Sequence, residues 1–178
     1  MASSVGHALV ALSIAKNLQG PLRVGLGGWL AVALVGNLPD VDRLLPGALR
    51  EFHPLFRHRG LTHSLIFACI AGLAMALVWT LVRREREEWM RVYAISCLAV
   101  GAHALIDMAT EYGDGVAVLY PISDETMKFQ WQPLGAVDLK RYPSRSLKVA
   151  MVLGNEVILV WLPAVLALAV AQWRRRQS

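Results

Sequence analysis

Residues 64–82 read SLIFACIAGLAMALVWTLV, 19 uncharged positions in a row that end at the cluster Arg83, Arg84, Glu85, Arg86, Glu87 and Glu88. A helix needs about 20 mostly apolar residues to cross the hydrocarbon core, so this stretch reads as a membrane span. Three neighbours follow the same pattern. Residues 24–39 lie uncharged between Arg23 and Asp40, and residues 149–173 are interrupted only by Glu156 before Arg174, Arg175 and Arg176. Residues 92–111 also reach spanning length but carry His103, Asp107 and Glu111, which lipid-facing positions would not tolerate. Residues 5–18, short and holding His7 and Lys16, are a fifth candidate. The expected fold is an all-α, polytopic membrane bundle of four or five transmembrane helices, a single domain over residues 1–178.

Composition agrees. Hydrophobic residues make up 56% of the 178 and charged residues 17%, the latter gathered between long uncharged runs. This excludes a disordered chain, a soluble globular domain and a nucleic-acid-binding module, and it assigns the net charge of +5 to membrane topology. Two cysteines, Cys69 and Cys97, make no disulfide framework and are expected as packing residues at different membrane depths. The first fifteen residues lack a basic stretch ahead of their apolar part, unlike a cleavable signal peptide.

Span parity gathers the polar interruptions. With 24–39 running up, 64–82 down and 92–111 up, Asp40, Asp42, His58, His63, His103, Asp107 and Glu111 fall towards one membrane face. If 5–18 crosses too, His7 joins them. The last helix then brings Glu156 to a depth about 12 Å below its start, matching the depth of His103. Lys and Arg number nine on each side, so the positive-inside count ties. The runs RRER and RRR abut their spans directly, which favours their side as cytoplasmic and turns the polar cluster to the periplasm or exterior. On the cluster's side, residues 43–59 mix Leu and Phe with four Arg as an interfacial segment does, and residues 114–146 are long enough for a short hairpin or lid.

The chemistry sits in that cluster. His103 and Asp107 are four apart, and Glu111 extends the row, so one helix face carries imidazole and carboxylates that can hold metal. Asp40 and Asp42 close a span just after Pro39, supplying hard oxygen ligands on an extended or turn-like stretch. His58 and His63 add imidazoles, with Gly60 permitting a tight turn into the span. Glu156, a carboxylate inside a span, costs about 2.5–3.5 kcal/mol unless paired, coordinated or protonated.

Taken in order, Gly6-His7, Asn37-Leu38-Pro39-Asp40-Val41-Asp42, His58-Arg59-Gly60-Leu61-Thr62-His63-Ser64, Gly101-x-His103 with Asp107, Thr110-x-Tyr112-Gly113 and Leu119-Tyr120-Pro121-Ile122-Ser123 resemble the YdjM-type membrane-bound metal-dependent hydrolases of bacteria and archaea. That family is distantly similar to zinc-dependent phospholipase C and single-strand nucleases, helical enzymes with His, Asp and Glu around clustered zinc ions. The resemblance implies His7, Asp40, His58, His63, His103 and Asp107 as metal residues, with Asp42 and Glu156 beside them. One departure is the aliphatic Ile122 after Pro121, where many members carry an aromatic.

The expected function is hydrolysis of a phosphoester, of a lipid or another amphiphile, in the cytoplasmic membrane. One to three zinc ions are expected, manganese and iron being compatible with the same ligands. Asp42, Arg59 and Glu156 are the expected catalytic residues, Arg57 and Arg59 being placed to hold phosphate oxygens. Membrane lipid is the expected partner, and nucleic acid is not. Two alternatives stay open: a metal or proton transporter, whose site belongs near the midplane between repeats, and a non-catalytic protein whose metal only ties helices together.

Overall fold

The structure is a computed structural model that describes residues 3–20, 24–44, 57–84, 86–111, 113–135 and 145–177. His53, Arg23, Glu85, Tyr112 and the residues 45–56 and 136–144 of the two connecting segments lie outside them. The described chain is helical: α1 (Ser4–Leu18), α2 (Leu26–Gly36), a 3-10 turn (Leu38–Leu44), a second (Leu61–His63), α3 (Leu65–Arg83), α4 (Trp89–Met108), α5 (Arg145–Glu156), a π-helical turn (Val157–Trp161) and α6 (Leu162–Gln177). Isolated bridges, Thr110 with Leu134 and Val116 with Met127, are the β pairing among these residues.

Three helices are long and apolar enough to cross a membrane: Leu65–Arg83, Arg86–Met108 and Val149–Gln177. The expected fourth and fifth fall short of that length. At 1.5 Å per residue α2 is about 16 Å long and α1 about 22 Å, against a hydrocarbon core of about 30 Å. Local chemistry sets these limits. Asn37 ends α2 two residues before Pro39, whose ring disfavours helical backbone before it. The Ser3 side chain caps α1 by accepting from the Gly6 N–H. Asp40 and Asp42 accordingly sit in a 3-10 turn, not on extended chain.

Lipid tails are as apolar as leucine, so close backbone approach, not hydrophobicity, holds such helices together. The buried set is accordingly small: Ala11 and Ala15 of α1, Ala68, Ala71 and Ala76 of α3, and Ala99 and Ala104 of α4. Leucines point outward instead, with Leu26, Leu30 and Leu34 forming one exposed stripe of α2. α1 lies at the centre, against α2, α4 and α6, while α3 runs along α4. Where α2 crosses α1, a methyl on Gly36 would stand 2.5 Å from the Ala11 Cβ and 3.0 Å from the His7 carbonyl, so only glycine fits.

Cys69 and Cys97 correct the expectation of different depths, since their Sγ atoms are 4.0 Å apart across the α3–α4 contact. Residues 57–64 occupy the level beside the last turns of α4, so α3 starts well below the end of α4, and Gly72 meets Tyr93 and Cys97. The last helix widens into a π turn just before Pro163, which has no N–H and whose ring crowds the carbonyl four residues back.

Candidate metal centre

The C-terminal turns of α4 carry His103 and Asp107 side by side, and the other elements deliver their side chains to this pair. α1 supplies His7, whose ring stacks on His103 with centroids 3.6 Å apart. The turn after α2 supplies Asp40, and the turn before α3 supplies His63. His63 Nε2 stands 3.6 Å from Asp107 Oδ2 and 3.9 Å from Asp40 Oδ1. His103 Nε2 stands 3.7 Å from Asp40 Oδ1, and His7 Nε2 3.7 Å from Asp107 Oδ1.

These separations are too long for hydrogen bonds and close to those of ligands on one ion. Two ligands bound at about 2.1 Å in a tetrahedron lie about 3.4 Å apart. Ligand atoms of Asp40, His63, His103 and Asp107 all fall within 4.8 Å of one another. His7 Nε2, Asp40 Oδ1, His63 Nε2, His103 Nε2 and Asp107 Oδ1 are buried without a hydrogen-bond partner. Buried polar atoms without hydrogen bonds are expensive singly, and the set of Asp40, His63, His103 and Asp107, with His7 beside Asp107, fits a bound divalent metal. Imidazole and carboxylate together suit zinc, and also manganese or iron.

The surrounding hydrogen bonds aim these atoms. His103 Nδ1 donates to the Gly36 carbonyl at 2.8 Å, which leaves the lone pair on Nε2. Arg59 Nε donates to Asp107 Oδ2 at 3.0 Å, and its Nη2 to Thr110 Oγ1 at 2.8 Å. Thr62 Oγ1 donates to Asp42 Oδ2 at 2.8 Å, and His63 Nδ1 lies 3.5 Å from that oxygen. Burial pushes the His63 imidazole below its usual pKa against the opposing pull of Asp107, which favours the neutral, ligating form. Burial acts to raise the Asp42 carboxyl, but hydrogen bonds from His58 and Thr62 outweigh it and hold the group below the usual carboxylate range.

Asp42, His58 and His63 form a second set with metal-ligand spacing, sharing His63 with the first. Here the carboxylate is already engaged: Oδ1 accepts from His58 Nδ1 at 2.8 Å, and Oδ2 from Thr62 and the Arg59 N–H. His58 Nε2 lies 3.5 Å from Arg43 Nη2. The structure thus joins His7, Asp40, His63, His103 and Asp107, and sets His58 and Asp42 beside them as a shell around His63.

Three expected roles are placed differently. Arg57 is exposed, whereas Arg59 is 2% exposed and turned inward onto Asp107. Its backbone is left-handed at φ 66°, pinned by its N–H on Asp42 and its carbonyl accepting from Ala117. Glu156 is buried, and its Oε1 accepts from the Ser3 N–H, the Ser3 hydroxyl and the Trp161 Nε1, which ties α1 to the last helix. Glu111 lies past the end of α4, exposed. Gly36 is a site neighbour that spacing could not reveal, because its part is played by a backbone carbonyl; Arg43, three residues from Asp40, and Thr110, three from Asp107, lie beside ligands in sequence. Thr62, inside the His58–His63 motif, and Thr110, inside Thr110-x-Tyr112-Gly113, carried a signal of this kind.

The chain matches the family model described as YdjM inner membrane protein over residues 1–178. It is 31% identical over 186 residues to the inner membrane protein YbcI of Escherichia coli strain K12, covering 99% of this chain and 100% of that protein. No solved structure matches it. With three helices long enough to cross a bilayer and similarity along its full length, the chain belongs to the YdjM inner membrane protein family and is a multi-pass protein of the inner membrane.

Proposed function

We propose that this protein is a membrane-embedded metal-dependent hydrolase that cleaves a phosphoester of an amphiphile. The observation that carries the reading is the convergence of buried ligand atoms from four separate segments of the chain around the end of α4, the Nε2 atoms of His7, His63 and His103 among them without hydrogen-bond partners. His7, Asp40, His63, His103 and Asp107 would hold the metal, which when bound supplies Lewis acidity and lowers the pKa of water towards 7. The chain's own part is to orient and to exclude water. Gly36 and Arg59 hold two ligands in place, and the His7, His63, His103 and Asp107 side chains are 0% exposed. Asp40 and His58, 11% and 19% exposed, mark the open edge, with the half-exposed Arg43 ion-paired to Asp40 there. A cation at this edge suits an anionic substrate.

Amphiphile specificity rests on where the site lies. The cluster is at the ends of α2 and α4, at headgroup level, and the segment 113–135 beside it exposes Leu119, Ile122, Phe129 and Trp131. Such side chains sit well in a membrane interface, where a lipid presents its phosphoester with its chains still in the bilayer. Hydrolysis of a long-chain phosphoester by the zinc-loaded protein should exceed that of its short-chain soluble analogue at matched concentration in one detergent. A preference for the soluble analogue removes the lipid substrate, and no hydrolysis of either removes the hydrolase reading. Transport is disfavoured because ligands gather in one half of the bundle, away from the midplane.

The site is proposed to face the periplasm. At the opposite end of the bundle, Arg175 donates to the Lys16 carbonyl, and Arg91 stacks its guanidinium near Gly20. Arg83, Arg84, Arg174 and Arg176 belong to that same basic end, which the positive-inside rule places in the cytoplasm. In a variant with both native cysteines replaced by serine, Asp114→Cys should react with an impermeant maleimide added outside spheroplasts, and Arg84→Cys only after lysis. Labelling of both from outside would overturn the topology.

A further inference from the structure

A second binding site lies in the membrane half away from the metal ligands. A cavity of about 320 Å³ opens between α1, α2, α3 and α4, within the size range of ligand pockets. Ile95, on its wall, is two turns of α4 from His103, so the two sites are separate. Its inner end is apolar, with Val35, Met75 and Ile95, and its outer end carries Gln19, Trp79 and Arg83. Gln19 Oε1 and Trp79 Nε1 are buried there without hydrogen-bond partners, one an acceptor and the other a donor. Gln19 as a residue is only 5% exposed.

The sequence pays for this space at Gly25-Leu26-Gly27-Gly28, a run the metal site does not use. Glycine inside a helix costs up to about 1 kcal/mol relative to alanine, and two of the three lie in the first turn of α2. Among the described residues nothing lies within 4 Å of where a Gly27 side chain would begin, so no packing contact among them demands glycine there. A molecule occupying the cavity would.

We infer that the cavity binds one anionic glycerophospholipid with a hydroxylated headgroup, such as phosphatidylglycerol, its phosphate at Arg83, its headgroup hydroxyl at Gln19, its ester carbonyl at Trp79, and an acyl chain running inward towards Val35. The polar order matches that molecule. A guanidinium at the end of α3 meets the phosphate, an ester carbonyl accepts from the Trp79 N–H, and a headgroup hydroxyl donates to Gln19 Oε1. Arg83 already lies 5.4 Å over the Trp79 ring, so charge and indole stand together at the outer end.

The test is native mass spectrometry of the full chain released from bilayers of phosphatidylglycerol and phosphatidylcholine in equal amounts. The wild type should retain one lipid per chain, with phosphatidylglycerol about fivefold preferred, as one basic residue near the surface provides. Gly27→Leu should fill the cavity and lose the retained lipid, and Arg83→Gln should keep a lipid without headgroup preference. Ala31→Leu, on the same wall, serves where Gly27→Leu does not fold, and the melting temperature of each lipid-free variant separates folding from binding. Retention of lipid by a folded Gly27→Leu or Ala31→Leu, or no preference in the wild type, would overturn the site.

Discussion

Asp107→Asn should reduce the protein's affinity for zinc by more than about 100-fold while leaving it folded, since outer-shell changes alone cost 10–100-fold. Asp107 joins His7 to His63, with Oδ1 facing His7 and Oδ2 facing His63 and Arg59. Asparagine keeps an oxygen for the Arg59 Nε–H, so the guanidinium stays paired, while an NH₂ group replaces the oxygen that faces His7. That group has no lone pair to offer a cation and donates where an acceptor is needed. Titration of metal-depleted protein with zinc, beside a thermal melt, reads both outcomes. The exposed Asp114→Asn is the control and should bind metal as the wild type does. Stoichiometric zinc in Asp107→Asn at unchanged affinity would remove Asp107 from the ligands.

Arg59→Met should destabilise the fold by about 3–5 kcal/mol, because it strips the buried Asp107 carboxylate of its cation. It should also weaken metal binding about 10–100-fold through the loss of orientation. Arg59→Lys should not rescue either effect. A single ammonium cannot donate at once to Asp107 and to Thr110 in the places Nε and Nη2 occupy. Adding Asp107→Asn to Arg59→Met should recover part of that loss of stability, since a neutral side chain at 107 leaves no buried carboxylate stripped of its cation. A phosphate-binding role predicts the reverse pattern: unchanged melting and metal content, with a raised KM alone. Denaturation in detergent, with metal analysis of the folded fraction, decides between them.

Much of this was written in one dimension. The 64–82 run, the charge clusters that end it and the order of the remaining apolar runs state that the chain is a membrane bundle, because crossing a bilayer is a matter of length and polarity. Alternation of direction then carries Asp40, His63, His103 and Asp107 to one end without any knowledge of packing. The i, i+4 pair His103–Asp107 on one helix face was equally legible.

The sequence by itself therefore determined the all-helical membrane class and the end of the bundle at which the polar groups meet. Only the tertiary structure decided which of them meet at one point and which merely support. Asp42 and His58 bond each other, Arg59 turns inward, and Glu156 is taken up by Ser3 and Trp161, each through hydrogen bonds to distant or differently placed groups. Helix lengths and levels were decided in the same way. α2 ends after 11 residues, and Cys69 comes level with Cys97 because Gly72 lets α3 close on α4. The physical reason is that hydropathy acts along the chain, whereas depth, rotation and the aim of a side chain follow from small-residue contacts and hydrogen bonds between segments that the sequence keeps far apart.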